Sequence, residues 1–207
     1  MSRTQRFLGA TAALFSAAVA LASYRYLAGA GPVPPNVGEN TFFQPWMMLH
    51  VAGAATALLL GPWQFLAGLR SRRPQVHRWI GRVYVLCCLF GGVSGLLLAL
   101  GSTAGPIATA GFGLLGIAWI ATTARGWQLA RQRRFRNHRE WMIRSFALSF
   151  AAVTLRIYLP LPSLLGIDFL PAYQAISFLC WVPNLLVAEW WLRTRGLSAT
   201  SGLRRPA

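Results

Sequence analysis

Six apolar stretches, each long enough to cross a bilayer, constrain the fold of this chain more than any other feature. A helix needs about 20 apolar residues to cross the hydrocarbon core, and a spanning segment must pair its own backbone polar groups. The stretches cover roughly residues 7–27, 46–69, 80–100, 105–127, 141–161 and 172–192. We therefore predict an all-α fold, an integral membrane bundle of about six transmembrane helices, with residues 1–207 forming a single polytopic membrane domain.

The charges predict how this bundle is oriented. All 20 basic residues are arginine, against four acidic residues, and the formal net charge is +16. The arginines concentrate at 3–6, 70–78, 125–139 and 193–205, whereas the loops 28–45, 101–104 and 160–171 contain none. Alternate loops are positive, which predicts a multi-pass protein of the cell inner membrane with a cytoplasmic N-terminus and C-terminus. Because no soluble face collects the arginines, we expect the lipid bilayer, and no nucleic acid, as the partner.

The first stretch allows two interpretations. The basic SRTQR segment and the small residues of AVALAS are also typical of a cleaved signal peptide. We favour an uncleaved helix, because apolar residues resume beyond Arg25. The proline- and glycine-rich segment that follows, GPVPPNVGEN, predicts an extended loop.

Small residues recur at helical spacing on two neighbouring stretches. They are Gly53, Ala57 and Gly61 on the second, and Cys87, Gly91 and Gly95 on the third. In lipid, such faces let helix backbones approach closely. We expect these two faces to serve helix packing.

A basic, histidine-bearing cluster begins the third and fifth helices at the inner face. It comprises His77, Arg78, His138 and Arg139. Its positive charge suits an anion, such as a lipid phosphate or a cofactor carboxylate. His77 and His138 lie at similar depth on different helices, an arrangement that also suits one bis-histidine haem b. The ordinary interpretation is that the arginines orient the protein and the histidines are hydrogen-bonded anchors.

An acidic residue near the inner end of the sixth helix predicts an ion pair. Glu189 lies at a depth similar to that of Arg82 and Arg144, about a turn or two inside the third and fifth helices. We expect a buried ion pair or triad among these three residues. The alternative is that Glu189 only solvates the end of its helix.

A second polar group is expected near the outer face. His50 and Arg156 lie about one turn inside the second and fifth helices, with Tyr158 nearby. They are candidates to line an outer cavity for an anionic or quinone-type head group. Alternatively, Arg156 snorkels outward or reaches Asp168.

Two further observations concern helix geometry and metals. Pro183 removes a backbone donor within the sixth helix, which predicts a kink beside Asn184. The sequence has no CxxC or HExxH motif, and the adjacent Cys87 and Cys88 point apart on a helix, so we expect no metal site.

Several motifs together resemble one family. They are LHVAGAATALLLGPWQF, HRWIGRVYV with GGVSGL, GFGLLGIAWIATT, NHREWMIRSFALSFAAVTLR and CWVPNLLVAEW. The combination resembles the uncharacterised bacterial membrane family called domain of unknown function 2306, over nearly all of His50 to Glu189. The resemblance implies a multi-helix inner-membrane protein. It implies no activity, cofactor or catalytic residue.

These observations leave three function classes. The first hypothesis is a non-enzymatic or unassigned integral membrane protein, whose polar residues orient it, with lipid or a small anion as the candidate ligand. The second is a redox component that holds one haem between His77 and His138, or a quinone near His50 and Arg156. The third is a small-solute transporter. A homodimer, which would bring two copies of His50 together, is a further option.

Overall fold

The computed structural model describes the backbone of residues 3–30 and 35–201, and the side chains of these residues except at 4–6, 35–36 and 195–201. Arg204, Arg205 and residues 31–34 of the predicted extended loop lie outside the described residues. The described remainder of that loop is not extended throughout, because Pro35–Gly38 forms a helical turn. The described parts are helical and contain no strand. In chain order the helices are α1 Arg3–Tyr24, a 3₁₀ turn Arg25–Ala28, α2 Pro35–Gly38, α3 Trp46–Gln64, α4 Ala67–Arg72, α5 Pro74–Leu100, α6 Pro106–Arg131, α7 Phe135–Ser149, α8 Ala151–Tyr158, α9 Leu161–Leu165, α10 Phe169–Leu179 and α11 Val182–Ser201.

Within the described residues, six helical spans are long and apolar enough to cross a membrane, which confirms the predicted fold class. They are Phe7–Ala28, Trp46–Gln64, Pro74–Leu100, Pro106–Arg131, Phe135–Leu165 and Phe169–Thr194. Successive spans run in opposite directions, so their connections alternate between two faces of the bundle. The arginine-rich face carries α4 and the α6–α7 turn, and the arginine-poor face carries the loops that follow α1, α5 and α8.

The second predicted stretch ends earlier than its hydropathy suggested. It was expected to continue to residue 69, but α3 ends at Gln64, two residues after Pro62 in its last turn. Proline cannot donate a backbone hydrogen bond and disturbs the helix around it. The remaining apolar residues begin α4, which carries Arg70 alongside the main bundle at the arginine-rich face.

Close contact between α3 and α5 confirms the predicted packing of small residues. A Cβ added at Gly53 would lie 2.8 Å from the Cys87 carbonyl oxygen and the Gly91 amide nitrogen. A Cβ added at Gly95 would lie 2.9 Å from the His50 ring. A side chain at Gly53 would push the backbones of α3 and α5 apart, whereas one at Gly95 would displace the His50 ring.

The last two spans are each interrupted near the middle. The fifth changes from α7 to α8 at Phe150, and the sixth breaks at Cys180 and Trp181, immediately before α11. The second break confirms the kink predicted at Pro183. Asn184 Nδ2 donates to the Cys180 carbonyl oxygen at 3.0 Å and to Thr154 Oγ1 at 2.9 Å. The two interruptions are therefore joined by one side chain.

Candidate functional site

A group of polar residues lies where the arginine-rich ends of α3, α5 and α7 meet; we name it the basic cleft. It consists of Gln64, Arg70, His77, His138 and Arg139. Arg70 Nη1 donates to the Gln64 and Phe65 carbonyl oxygens at 3.3 and 3.1 Å, and so caps the end of α3. Burial, and then the positive charge of Arg139 nearby, lower the pKa of the Arg70 guanidinium from its ordinary value.

Two nitrogen atoms of the basic cleft are buried without a partner. Among the described residues, Gln64 Nε2 and His77 Nδ1 are two of the three buried side-chain polar atoms that make no hydrogen bond; the third, Ser16 Oγ, lies on α1. The Gln64 amide lies against Gly81, one helical turn beyond His77 on α5. Buried polar atoms are nearly always paired in native proteins, so these two atoms are exceptions within the fold.

His138 has one nitrogen engaged and one available. Its Nδ1 lies 2.8 Å from the Gly126 carbonyl oxygen. Because a carbonyl only accepts, Nδ1 carries the hydrogen, and the neutral ring keeps its lone pair on Nε2. His77 lies close enough to interact electrostatically with both His138 and Arg70. The two predicted histidines therefore lie at the same end of the bundle, within electrostatic range of each other.

The predicted basic site is divided between two sides of α5. Arg139 belongs to the basic cleft, whereas Arg78 is exposed on a different side of α5 from His77. There it lines a groove with Gln75, Trp79 and Arg82, which we name the α5 groove. Arg78 and His77 are neighbours in sequence, and consecutive helical residues point about 100° apart.

The predicted ion pair forms between two of its three expected members. Arg144 Nε and Nη2 both contact the Glu189 carboxylate, the latter at 3.0 Å, and the side chains are only 19% and 29% exposed. Such bidentate geometry is strong and directional. The triad was wrong in including Arg82, whose guanidinium lies 5.0 Å from the Trp79 ring in the α5 groove. Arg82 faces outward from α5, so it cannot reach α11.

The polar pair at the arginine-poor face is held by the protein itself. His50 Nδ1 lies 2.8 Å from the Gly91 carbonyl oxygen. Arg156 donates from Nη2 to Ser23 Oγ at 2.7 Å and from Nη1 to the Ala152 carbonyl oxygen at 3.0 Å. We name these two residues the His50–Arg156 pair. Arg156 turns inward to bind α1, in contrast to the expected snorkelling or contact with Asp168.

Tyr158 lies apart from this pair. It packs against the buried cluster of Ala151, Ile176 and Cys180, towards α10. Arg156 and Tyr158 are two positions apart on α8, so they project to nearly opposite sides of the helix. The structure therefore does not bring Tyr158 into a shared cavity with Arg156.

A buried hydroxyl network that sequence reasoning missed lies between the two faces; it comprises Tyr84, Trp119, Thr123, Ser145 and Ser149. The Tyr84 hydroxyl lies 3.0 Å from Ser145 Oγ and 3.1 Å from Ser149 Oγ. Trp119 Nε1 donates to Ser149 Oγ at 2.9 Å, and Thr123 Oγ1 lies 2.7 Å from Ser145 Oγ. Ser149 donates to the Ser145 carbonyl oxygen. Every donor can therefore reach an acceptor, so the network links α5, α6 and α7 without leaving a free group.

Metal-binding groups do not converge in the described parts of the chain. No set of three or more His, Cys, Asp or Glu side chains has the placement to hold a metal ion there. The three cysteines, Cys87, Cys88 and Cys180, are free thiols.

The fold and its buried polar residues define a polytopic α-helical membrane protein. The chain belongs to the family described as "Predicted membrane protein (DUF2306)", whose model matches residues 47–192. This match confirms the resemblance seen in the motifs, and it includes the basic cleft, the α5 groove and the His50–Arg156 pair. No curated protein and no solved structure matches the chain.

Proposed function

We propose that this membrane protein binds a small oxyanion, a carboxylate or a phosphate, in the basic cleft. The observation that carries the proposal is the pair of buried, unpartnered nitrogens, Gln64 Nε2 and His77 Nδ1. Each such atom costs about 1–3 kcal/mol of stability. An oxygen-rich ligand would lower that cost by accepting a hydrogen bond from the Gln64 amide, and from His77 in the tautomer that carries its hydrogen on Nδ1.

The charge of the cleft selects the sign of the ligand. Arg70 and Arg139 lie close enough for each to feel the other's positive charge. Within the described residues, the ion pairs are Arg136–Glu140 and Arg144–Glu189, so neither cleft arginine has a protein carboxylate. An anion supplies the missing negative charge, whereas a cation would add to the repulsion.

We also propose that the arginine-rich face is cytoplasmic and that the protein resides in a bacterial inner membrane with both termini inside. The support is the concentration of arginine in alternate short loops. The ligand would then enter the cleft from the cytoplasm. A cysteine-accessibility assay on Ser71→Cys, at the exposed surface of α4, tests this orientation: labelling only from the cytoplasmic side supports it.

Thermal unfolding in a neutral detergent tests the binding proposal. Sodium phosphate should raise the apparent unfolding temperature above that in sodium chloride of equal ionic strength, and saturation at 100 times the Kd corresponds to about 2.7 kcal/mol. Gln64→Met should abolish this stabilisation, whereas Gln132→Met, at an exposed position, should preserve it. Equal stabilisation of all three proteins would contradict the proposal.

The same experiment separates two sources of phosphate. A soluble ligand predicts stabilisation by inorganic phosphate or succinate without added lipid. Stabilisation by phosphatidylglycerol alone, lost in Gln64→Met, would instead assign the cleft to a lipid head group.

A haem-binding redox protein is the second candidate. The observation that favours it is the bond from His138 Nδ1 to Gly126, which leaves Nε2 in the form that binds iron. His77, with its own unpartnered nitrogen, would supply the opposite ligand. A haem would contribute one-electron transfer. A reduced α-band that disappears in His77→Ala supports this candidate, and a flat visible spectrum from protein produced with ample haem excludes it.

Transport is favoured by a different observation, the two interrupted spans joined through Asn184 and Thr154. Transporter cores commonly contain broken helices that meet; here the backbone keeps helical angles at Phe150 and Cys180, so each break is a bend within one span. Uptake of labelled phosphate or succinate into protein-containing vesicles tests this candidate, with Asn184→Leu as the variant expected to lose uptake. Vesicles that bind the solute without accumulating it would leave the protein as a binding protein.

A further inference from the structure

The α5 groove lies on the outward side of α5, apart from the basic cleft. It has a volume of about 370 Å³ and is lined by Gln75, Arg78, Trp79 and Arg82. All four lining residues belong to α5, so it is an open surface groove and not an enclosed pocket. Trp79 is 65% exposed, so the groove opens towards the surroundings of the bundle and not towards its core.

The two arginines of the groove lack a negative partner. Arg78 and Arg82 are one turn apart and project to the same side of α5. Among the described residues, Glu140 and Glu189 are already paired with Arg136 and Arg144. The Trp79 ring, 5.0 Å from the Arg82 guanidinium, holds that side chain in place without neutralising it. Both side chains are exposed, so an anion from another molecule can reach them.

The surface beyond the groove is apolar. Along the same side of α5, Val83, Leu86, Phe90 and Val93 are between 41% and 65% exposed and follow one another at helical spacing. The arrangement places two unpaired positive charges at the end of an apolar stripe that continues into the membrane. A soluble anion would cover the charges and leave the stripe bare, whereas an amphiphile with an anionic head covers both.

We propose that the α5 groove binds an anionic glycerophospholipid, with its phosphate between Arg78 and Arg82 and an acyl chain along the stripe. Gln75 provides an additional polar contact for the head group. The site is independent of the basic cleft, because it uses different side chains on another side of α5.

Native mass spectrometry of protein exchanged into mixed micelles with phosphatidylglycerol or phosphatidylcholine tests the proposal. The wild type should retain one phosphatidylglycerol in preference to phosphatidylcholine. The double variant Arg78→Gln/Arg82→Gln should retain about 25-fold less phosphatidylglycerol. This figure assumes that each interfacial arginine contributes a factor of about five. The matched control Arg72→Gln/Arg73→Gln removes the same net charge from the exposed end of α4 and should retain the lipid.

Three outcomes would overturn the proposal. They are equal loss in both double variants, equal retention of the two lipids by the wild type, and displacement of phosphatidylglycerol by millimolar inorganic phosphate. Phosphate stabilisation of Arg78→Gln/Arg82→Gln, measured in parallel, reports on the basic cleft separately, so failure at one site can be distinguished from failure at the other.

Discussion

The basic cleft and the His50–Arg156 pair each combine a histidine with arginine near one end of the bundle, but they differ in how the protein satisfies them. His50 bonds to Gly91, and Arg156 bonds to Ser23 and Ala152. Neither residue has a buried side-chain nitrogen without a partner, whereas His77 does. A polar group satisfied within the fold holds helices together, and one left unpaired lowers stability until a ligand arrives.

Pairing, and not the face of the membrane, should decide the role of each residue. A variant of Arg144 tests this expectation, because Arg144 lies towards the same membrane face as the basic cleft but is paired with Glu189. Arg144→Ala should lower the free energy of unfolding by about 2–3 kcal/mol, since it leaves the Glu189 carboxylate largely buried without its cation. Reversible unfolding in increasing SDS measures the loss.

Arg136→Ala is the control for that variant. Its pair with Glu140 is 3.6 Å long and exposed, so the change should be within about 0.5 kcal/mol. The charge exchange Arg144→Glu/Glu189→Arg should recover part of the lost stability. If the exchanged protein is no more stable than the single variants, the interaction is not a stabilising pair.

The hydroxyl network between the two faces should behave like the paired residues. Ser145→Ala takes one partner from each of the buried hydroxyls of Tyr84 and Thr123 and should cost about 2 kcal/mol. Ser71→Ala, on the exposed surface of α4, is the matched control and should be nearly neutral. Phosphate should still stabilise both variants. If it no longer stabilised Ser145→Ala, the phosphate site would include residues beyond the basic cleft.

The His50–Arg156 pair should affect stability alone. Arg156→Ala removes the hydrogen bond that ties α8 to α1 and should lower the free energy of unfolding by about 1–2 kcal/mol. Phosphate should stabilise this variant as much as it stabilises the wild type. A smaller stabilisation by phosphate would mean that the two regions are coupled, and that the His50–Arg156 pair also contributes to ligand binding.

A variant of the basic cleft should change the free energy of unfolding the least, and should raise it where the other variants lower it. Without phosphate, Gln64→Met should raise the free energy of unfolding by about 1 kcal/mol, because it removes an unpaired buried amide at nearly constant volume. Unfolding in phosphate-free buffer checks the sign. Destabilisation of a folded variant would indicate that Gln64 has a partner within the protein.

Much of the fold was predictable because the bilayer imposes length and charge rules on each span. Hydropathy located six spans, and Pro183 located the break in the sixth. The end of α3 was misplaced because apolar residues continue past Pro62 into α4, and hydropathy does not distinguish a span from a short helix beside it.

The candidate site was only partly predictable. Depth along each helix correctly grouped Arg144 with Glu189, because residues at one level can meet. That His77 and His138 share one site stays a prediction. Depth does not specify which side of a helix a residue occupies, so Arg82 was assigned to the wrong partners. Gln64 was missed, although a glutamine at the end of an apolar span was a visible signal. The hydroxyl network was missed too, although Ser145 and Ser149 have the spacing of one helical face.

Isothermal titration of phosphate into the wild-type protein, in neutral detergent and phosphate-free buffer of constant ionic strength, tests the central claim most directly. If the basic cleft binds phosphate, the titration should give saturable heat that fits one site per chain and disappears in Gln64→Met. Heat that only reflects dilution, in protein that still unfolds cooperatively, would contradict the claim that the basic cleft is an oxyanion site.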